Sequence, residues 1–314
     1  MTGGPGERDG PPAGDDRRGV QLRIGAWQDP YPLDWRLRSK ARRRLRRTRL
    51  TRGAGRLADL ALTARQRALG IDRQLDAVAA QGPRRDVLVL GIYGVDGRQL
   101  EEALRRLRES VHSVRVALGA MGAAAPGLVG DTVLTEMRGG KFANLNLVAE
   151  AAGPLAADWI LIVDDDIDIG HRFLDRLLAV AERFSFGLAQ PALSRASYGW
   201  HSVNRRHPVL CRETRFVEIG PVVLMRRDVY QRLAPFPAEG MGWGLDLHWS
   251  AVAPRFGWRL GVIDAVPVCH EKRRTASAVD VVAAREAAER LLAERDHVTY
   301  LEVESELARH TRMS

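Results

Sequence analysis

Cysteine is nearly absent from this chain. Cys211 and Cys269 are the only two in 314 residues, which leaves no disulfide framework and no close-spaced thiolate metal site, and fits a reducing compartment. Long apolar runs are missing too: no uninterrupted stretch reaches the length needed to span a bilayer. Met1-Thr2-Gly3-Gly4-Pro5 leads into polar, Gly/Pro-rich sequence, without the apolar centre of a secretory signal. A cytoplasmic protein, soluble or peripherally attached to a membrane, is the expectation. Acidic residues are absent where the chain is most basic. None occurs from Trp35 to Ala58, while Arg36 to Arg56 holds ten arginines and Lys40. Residues 1–85 carry 20 Arg/Lys against 9 Asp/Glu, and residues 86–314 carry 28 against 30. The formal charge of +9 therefore belongs to an N-terminal extension, and the rest is close to neutral.

Residues 1–20 have almost nothing to bury and are expected to be a disordered tail. Residues 21–85 form a basic extension, with Leu22–Trp35 as an arm able to dock on the main body. For residues 36–56 two readings stand: contact with an anionic surface, a membrane ahead of nucleic acid, or a solvated and partly helical linker. Leu57, Ala61, Ala64, Ala68, Ile71, Leu75 and Val78 recur at spacings of four and three. That spacing predicts one amphipathic helix, pairing with another helix (including that of a second copy, in a homodimer) or lying on the body. Gln81-Gly82-Pro83 stops it.

The main domain is expected over 86–275. Val87–Tyr93 reads as a central strand, Leu100–Leu107 as a helix and Val111–Leu118 as the next strand, before a flexible connection from Gly119 to Gly130. Lys141–Ala152 and Phe173–Phe184 read as helices, while Phe186–Ala192, Phe216–Met225 and Leu260–Val268 read as strand-like segments. Strand and helix alternate as in a layered α/β fold: an open, predominantly parallel sheet flanked by helices. Residues 276–314 are expected to be a helical segment, continuing to about His310.

The sharpest feature is Trp159-Ile160-Leu161-Ile162-Val163 followed by Asp164-Asp165-Asp166. A buried strand delivers three adjacent carboxylates, which need water or a cation. On an extended backbone Asp164 and Asp166 face one way and Asp165 the other. Two convergent carboxylates suit Mg²⁺ or Mn²⁺; the competing reading is an acidic strand end that caps a helix starting near His171, with Asp168 a cap in either case.

Other candidates are less specific. Lys141 stands at a helix start, with Asn144 and Asn146 in the first turns, and is either a phosphate ligand or an exposed lysine. Tyr198, Trp200, His201, His207 and the arginines between Arg195 and Arg215 read as a mobile rim for a phosphorylated ligand. Glu218, the single acid in its apolar segment, is expected exposed at a strand edge or paired. Gly240-Met241-Gly242-Trp243-Gly244-Leu245-Asp246 reads as a tight loop presenting an aromatic platform, with Asp246 either a helix cap or a general base beside a sugar hydroxyl. His270, at the end of the last strand-like segment, is placed to complete a carboxylate-rich metal site.

In this order, the acidic strand and the Gly-Trp-Gly-x-Asp loop make the segment from Asp86 to about Lys272 resemble the GT-A class of nucleotide-sugar-dependent glycosyltransferases, of the family-two-like kind. The resemblance covers about three-fifths of the chain. It implies a metal-dependent transfer of a sugar from a nucleotide-sugar donor to a hydroxyl acceptor, with inversion if attack is direct. It implies Asp164, Asp166 and His270 as ligands of Mn²⁺ or Mg²⁺, and Asp246 as base. Lys141, Asn144, Asp164, Asp165, Trp243 and Gly244 are implied in donor or acceptor binding. The loop has Leu245-Asp246 where the family usually has Glu-Asp, and the basic extension lies outside the pattern. Two other functions stay open: a sugar-phosphate nucleotidyltransferase, which would release pyrophosphate, and a non-catalytic protein binding nucleic acid or an anionic surface through its arginines.

Overall fold

The apolar runs form the middle of one sheet. The fold is that of a computed structural model, which describes residues 49–94, 96–197, 199, 201–270 and 281–313. The N-terminal tail, the Leu22–Trp35 arm, most of the arginine run, Tyr198, Trp200 and Lys272 lie outside the described residues. The chain begins with helices α1 (Arg49–Ala68) and α2 (Ile71–Gln81), followed by β1 (Asp86–Tyr93), α3 (Arg98–Arg108), β2 (Ser113–Ala120) and β3 (Thr132–Leu134). Next come α4 (Lys141–Ala151), β4 (Trp159–Val163), β5 (Ile167–Ile169), α5 (Phe173–Arg183), β6 (Phe186–Leu193), β7 (Cys211–Thr214) and β8 (Val222–Arg226). The remainder is α6 (Arg227–Leu233), α7 (Leu245–Val252), β9 (Arg259–His270), α8 (Val281–Ala293), α9 (Tyr300–Val303) and β10 (Glu306–His310).

The strands join in the order β10-β7-β9-β6-β8-β4-β1-β2-β3, with β5 paired to the end of β9. Taken through the pairings, β1 to β4, β6, β9 and β10 run one way, and β5, β7 and β8 run against them. The sheet is thus mixed and mostly of one direction, as in a GT-A-like architecture. Both faces are covered, so its central strands carry no polar alternation. Val87, Val89, Leu161 and Val163 pack with α2, α3 and α5 on one face. Leu88, Leu90, Ile160 and Ile162 pack with α4 and α7 on the other.

Several local expectations are corrected. The expected single helix over Leu57–Val78 is two, because Gly70 takes a left-handed backbone (φ 66°) between them. That break resets the helical phase. Ile71 and Leu75 enter the core, whereas Leu57, Ala61, Ala64 and Ala68 face outward. Phe216–Met225 is not one strand, since β8 starts only at Val222, after Gly220-Pro221. Nor is the C-terminal segment wholly helical: Glu306–His310 is a strand, antiparallel to β7. Asp168 is no cap, as it lies in β5 with its carboxylate 3.2 Å from Arg106, and α5 starts later, at Phe173.

The expected rim is largely built into the body. His201 is buried against Phe216, its ring centroid 4.6 Å away. Arg212 and Asp264 are both fully buried and form a two-pronged ion pair at 2.9 and 3.1 Å, and Arg212 also reaches Glu306 at 2.9 Å. Asp264 is pushed up to about 6 by burial, against the pull of that guanidinium. Arg206 donates to Thr63 and Gln66 of α1. Cys211 and Cys269 are both free thiols. Among the described residues no helix is long and apolar enough to cross a membrane.

Candidate active site

Strand register assembles the site. β4 pairs β1 with Val163 opposite Gly91, and pairs β8 with Val163 opposite Val222. The carboxylates that follow Val163 therefore emerge between the end of β1 and the start of β8, at the carboxyl edge where α/β sheets bind ligands. The backbone turns at Asp165-Asp166 before β5. β5 then pairs with β9 so that Ile167 lies opposite His270. A residue 104 positions downstream is thereby set beside Asp166.

The result is a group of Asp164, Asp166 and His270 in which one ligand atom from each lies within 4.8 Å of the others. The two aspartates share a side because of the turn and not, as the sequence reading had it, because of an extended backbone. Asp165 faces elsewhere and accepts from the Gly94 amide, at the end of β1, at 2.9 Å. His270 Nε2 lies 2.9 Å from Asp166 Oδ1. Burial pulls the imidazole down, but the Asp166 hydrogen bond and the charges of Asp166, Asp164 and Glu218 outweigh it, and the net shift is upward.

These residues fit a divalent cation. Two carboxylates and one imidazole are the hard and borderline donors that Mn²⁺ accepts, and the space beside them is kept open by a missing side chain. A Cβ on Gly220 would fall 2.9 Å from Asp164 Oδ2 and 3.0 Å from Lys141 Nζ. Lys141, the first residue of α4, supplies the local positive charge: its Nζ lies 2.6 Å from Asp164 Oδ1 and donates to the Ile219 carbonyl at 3.0 Å.

Glu218-Ile219-Gly220 forms the spine of the site. Ile219 offers its carbonyl to Lys141 and its amide to Asp246. Asp246 is buried in the first turn of α7, with the Leu247 amide 2.9 Å from Oδ1. Burial pushes its carboxyl up to about 7, against the amides of Leu247, Asp246, Ile219 and Gly244. Glu218 is also buried, contrary to the expected exposure; it accepts from Asn204 at 2.6 Å, and its amide donates to Gln190 at 2.6 Å. Burial and then the charge of Asp246 push it up to about 7. Raised carboxyls of this kind occur at functional sites and also in structural ion pairs such as Arg212–Asp264.

The loop before α7 is shaped by glycine. Gly242 and Gly244 have φ of 83° and 92°, and a Cβ at Gly242 would lie 2.1 Å from the Phe142 ring. Only glycine permits that backbone and that approach to α4. Trp243, between them, is half-buried.

Lys141, Asp164, Asp166, His270 and Asp246 thus come together, while Asn144 is turned away. Its amide closes the turn before α4, donating to the Gly139 carbonyl at 2.9 Å and accepting from the Gly139 amide at 3.1 Å. Asn146 similarly pairs with both backbone groups of Phe236. Glu218 and Gly220 were missed as site residues. The available signal was a Gly-Pro break, with an acid just before it, inside an apolar run. A separate cavity of about 300 Å³ beside α6 and α7, lined by Arg232, Pro235, His248, Trp249, Phe256 and Arg295 among others, contains none of the site side chains.

No family model and no curated protein matches this chain. Among solved structures it is similar to the mannosyltransferase PcManGT from Pyrobaculum calidifontis in complex with GDP-Man and Mn²⁺, at 17% identity over 78% of each chain and a TM-score of 0.46. It is similar also to S. aureus TarS 1–349 in complex with UDP-GlcNAc, at 13% identity over 69% of each chain and a TM-score of 0.49. A third is GalNAc-T7 with UDP, GalNAc and Mn²⁺, at 11% identity over 60% of this chain and 43% of that one, with a TM-score of 0.44. Likenesses this distant carry no weight beside the side-chain geometry itself.

Proposed function

We propose that this chain is a metal-dependent glycosyltransferase that moves a sugar from a nucleotide-sugar donor to a hydroxyl acceptor. One observation carries the reading: a carboxylate–carboxylate–imidazole group and a lysine stand at the carboxyl edge of β4, beside two buried acids, Glu218 and Asp246. Asp164, Asp166 and His270 would hold Mn²⁺ or Mg²⁺. When bound, such an ion supplies positive charge to a diphosphate leaving group as its bond to the sugar breaks.

The chain's own residues do the rest. Lys141 exchanges its pairing with Asp164 for a donor phosphate, aided by the positive end of α4. Asp165 fixes the Gly94 amide, and with it the loop that leaves β1 on the donor side. Trp243 and Gly244 wall the sugar or the acceptor. Asp246 takes the acceptor hydroxyl proton; a carboxyl near 7 is ionised in useful proportion at neutral pH and is a far better base than an ordinary aspartate. Direct attack then inverts the anomeric centre.

The test is calorimetry of nucleotide sugars with Mn²⁺, followed by product analysis with any binder. Free nucleoside diphosphate is the expected product. Pyrophosphate would mean nucleotidyl transfer instead, and failure of every nucleotide sugar to bind would overturn the reading.

A further inference from the structure

Helix α1 meets the body with its polar side. Asp59, its single acidic residue, accepts from the amides of Arg195 and Ala196 at 3.0 and 3.1 Å. Thr63 and Gln66 receive Arg206, and Gln66 donates to the Ala265 carbonyl. The opposite side carries Ala54, Leu57, Leu60, Ala61, Ala64 and Ala68, all exposed. Leu57 and Leu60 are 69% and 66% accessible. Exposed Arg56 and Arg67 flank this stripe on one edge, and Arg65, on the other, donates to the Pro208 carbonyl at 2.8 Å. A globular surface helix turns its apolar stripe to the core; α1 turns its stripe to water.

We propose that the outward face of α1 docks on an anionic lipid surface. Leucines flanked by arginines match the two layers of a membrane interface, acyl chains below and acidic headgroups around. No acid remains on that face, and the preceding residues, 36–48, add seven arginines and one lysine. A second copy is disfavoured by the same charges. A twofold contact sets a patch against itself, which would bring arginine edges together with no carboxylate to pair them. Nucleic acid would match the arginines but has no use for the leucines. The inference does not depend on the transfer reading.

The full chain is sedimented with vesicles of phosphatidylcholine containing one-quarter phosphatidylglycerol, and with pure phosphatidylcholine, at low and high salt. Binding is expected only to the anionic vesicles and should weaken with salt. Arg56→Gln with Arg67→Gln should weaken it about fivefold per arginine, and Leu57→Ser with Leu60→Ser by about tenfold. Far-UV spectra should stay unchanged, because these side chains face water. Absence of anionic-vesicle binding overturns the proposal. So does binding untouched by the leucine variant, which would assign it to the preceding arginines alone. A mass that falls from dimer to monomer in the leucine variant, read by light scattering, overturns it in favour of a second copy.

Discussion

The backbone amide of His270 donates to Ser197 Oγ at 2.9 Å. That hydroxyl belongs to the Ser194–Ser197 turn, in which the two serine side chains lie 2.7 Å apart. Asp59 of α1 holds the same turn through two amides. A carboxylate in the basic extension is therefore connected, through one turn, to the end of the strand that carries a candidate metal ligand.

Ser197→Ala should accordingly weaken Mn²⁺ binding by about tenfold, the low end of what loss of a supporting hydrogen bond does at metal sites. Asp59→Ala should do the same to a smaller degree. Calorimetric titration of Mn²⁺ into each variant checks this, and wild-type affinity in Ser197→Ala would refute the connection.

Asp166→Asn removes a candidate ligand and also the group that raises His270. Mn²⁺ binding should be abolished with little change in the far-UV spectrum, and the imidazole titration, followed by NMR in metal-free protein, should move down. The sign follows from the shift. A histidine whose folded pKa lies above its unfolded value contributes stability at low pH, which is lost as pH rises through the folded pKa. The variant should therefore lose more stability at pH 5 than at pH 8. A His270 titration unmoved by Asp166→Asn would contradict the pairing.

Asp246→Asn should keep donor binding and reduce transfer by about 10²-fold or more. Wild-type turnover should rise with pH through about 7 as the buried carboxyl ionises. Stability should run the other way: a carboxyl raised in the folded state favours folding while protonated, so this contribution falls between the unfolded value near 4 and about 7, then stays level. Denaturant unfolding at several pH values should show that decline reduced in Asp246→Asn. Glu218→Gln should reduce what is left of it, since the two acids titrate as a pair. Collapse of donor binding in Asp246→Asn would make this residue part of the donor site instead.

Much of this was legible because it is written locally. Continuous apolar residues marked β1 and β4, and the triple aspartate after Val163 marked the site edge. Three glycines around Trp243 marked a loop whose backbone needs them. What was hidden depends on pairing between distant segments. β5, β7 and β10 are three to five residues long and become strands only against β9 or one another. Glu218 looked like an edge residue because its partners, Asn204 and Gln190, come from segments that its own neighbourhood does not reveal. Asn144 had the right address for a ligand contact, but its amide is taken by the Gly139 turn.

The extension also proves less separable than its composition implied. Leu75 and Ile71 of α2 lie in the core, and Arg176 of α5 reaches Asp72 and Asp76 at 3.1 and 2.8 Å. A chain starting near Gln81 should lose about 1.5–3 kcal/mol for each of Ile71 and Leu75 and expose an apolar groove. Reduced thermal stability and aggregation on size exclusion are the expected outcome, whereas a chain starting at residue 49 should stay monodisperse. Equal melting temperatures for the two would show that α2 is dispensable.

The pairing of β10 with β7 has a consequence for the order of assembly during synthesis. β7 is flanked by β9 and β10, and Arg212 within it needs Asp264 from one and Glu306 from the other. On the ribosome, β7 emerges about fifty residues before its first partner and ninety before its second. A buried guanidinium with one carboxylate missing is a costly intermediate, so this half of the sheet closes only once β10 has been made, long after β1 to β4 have all emerged. His270 sits on β9, in the late half, and Asp166 is delivered by the early one. The candidate metal group can therefore form only after β9 has paired with β5, so a cation bound there would report that the two halves of the sheet have met.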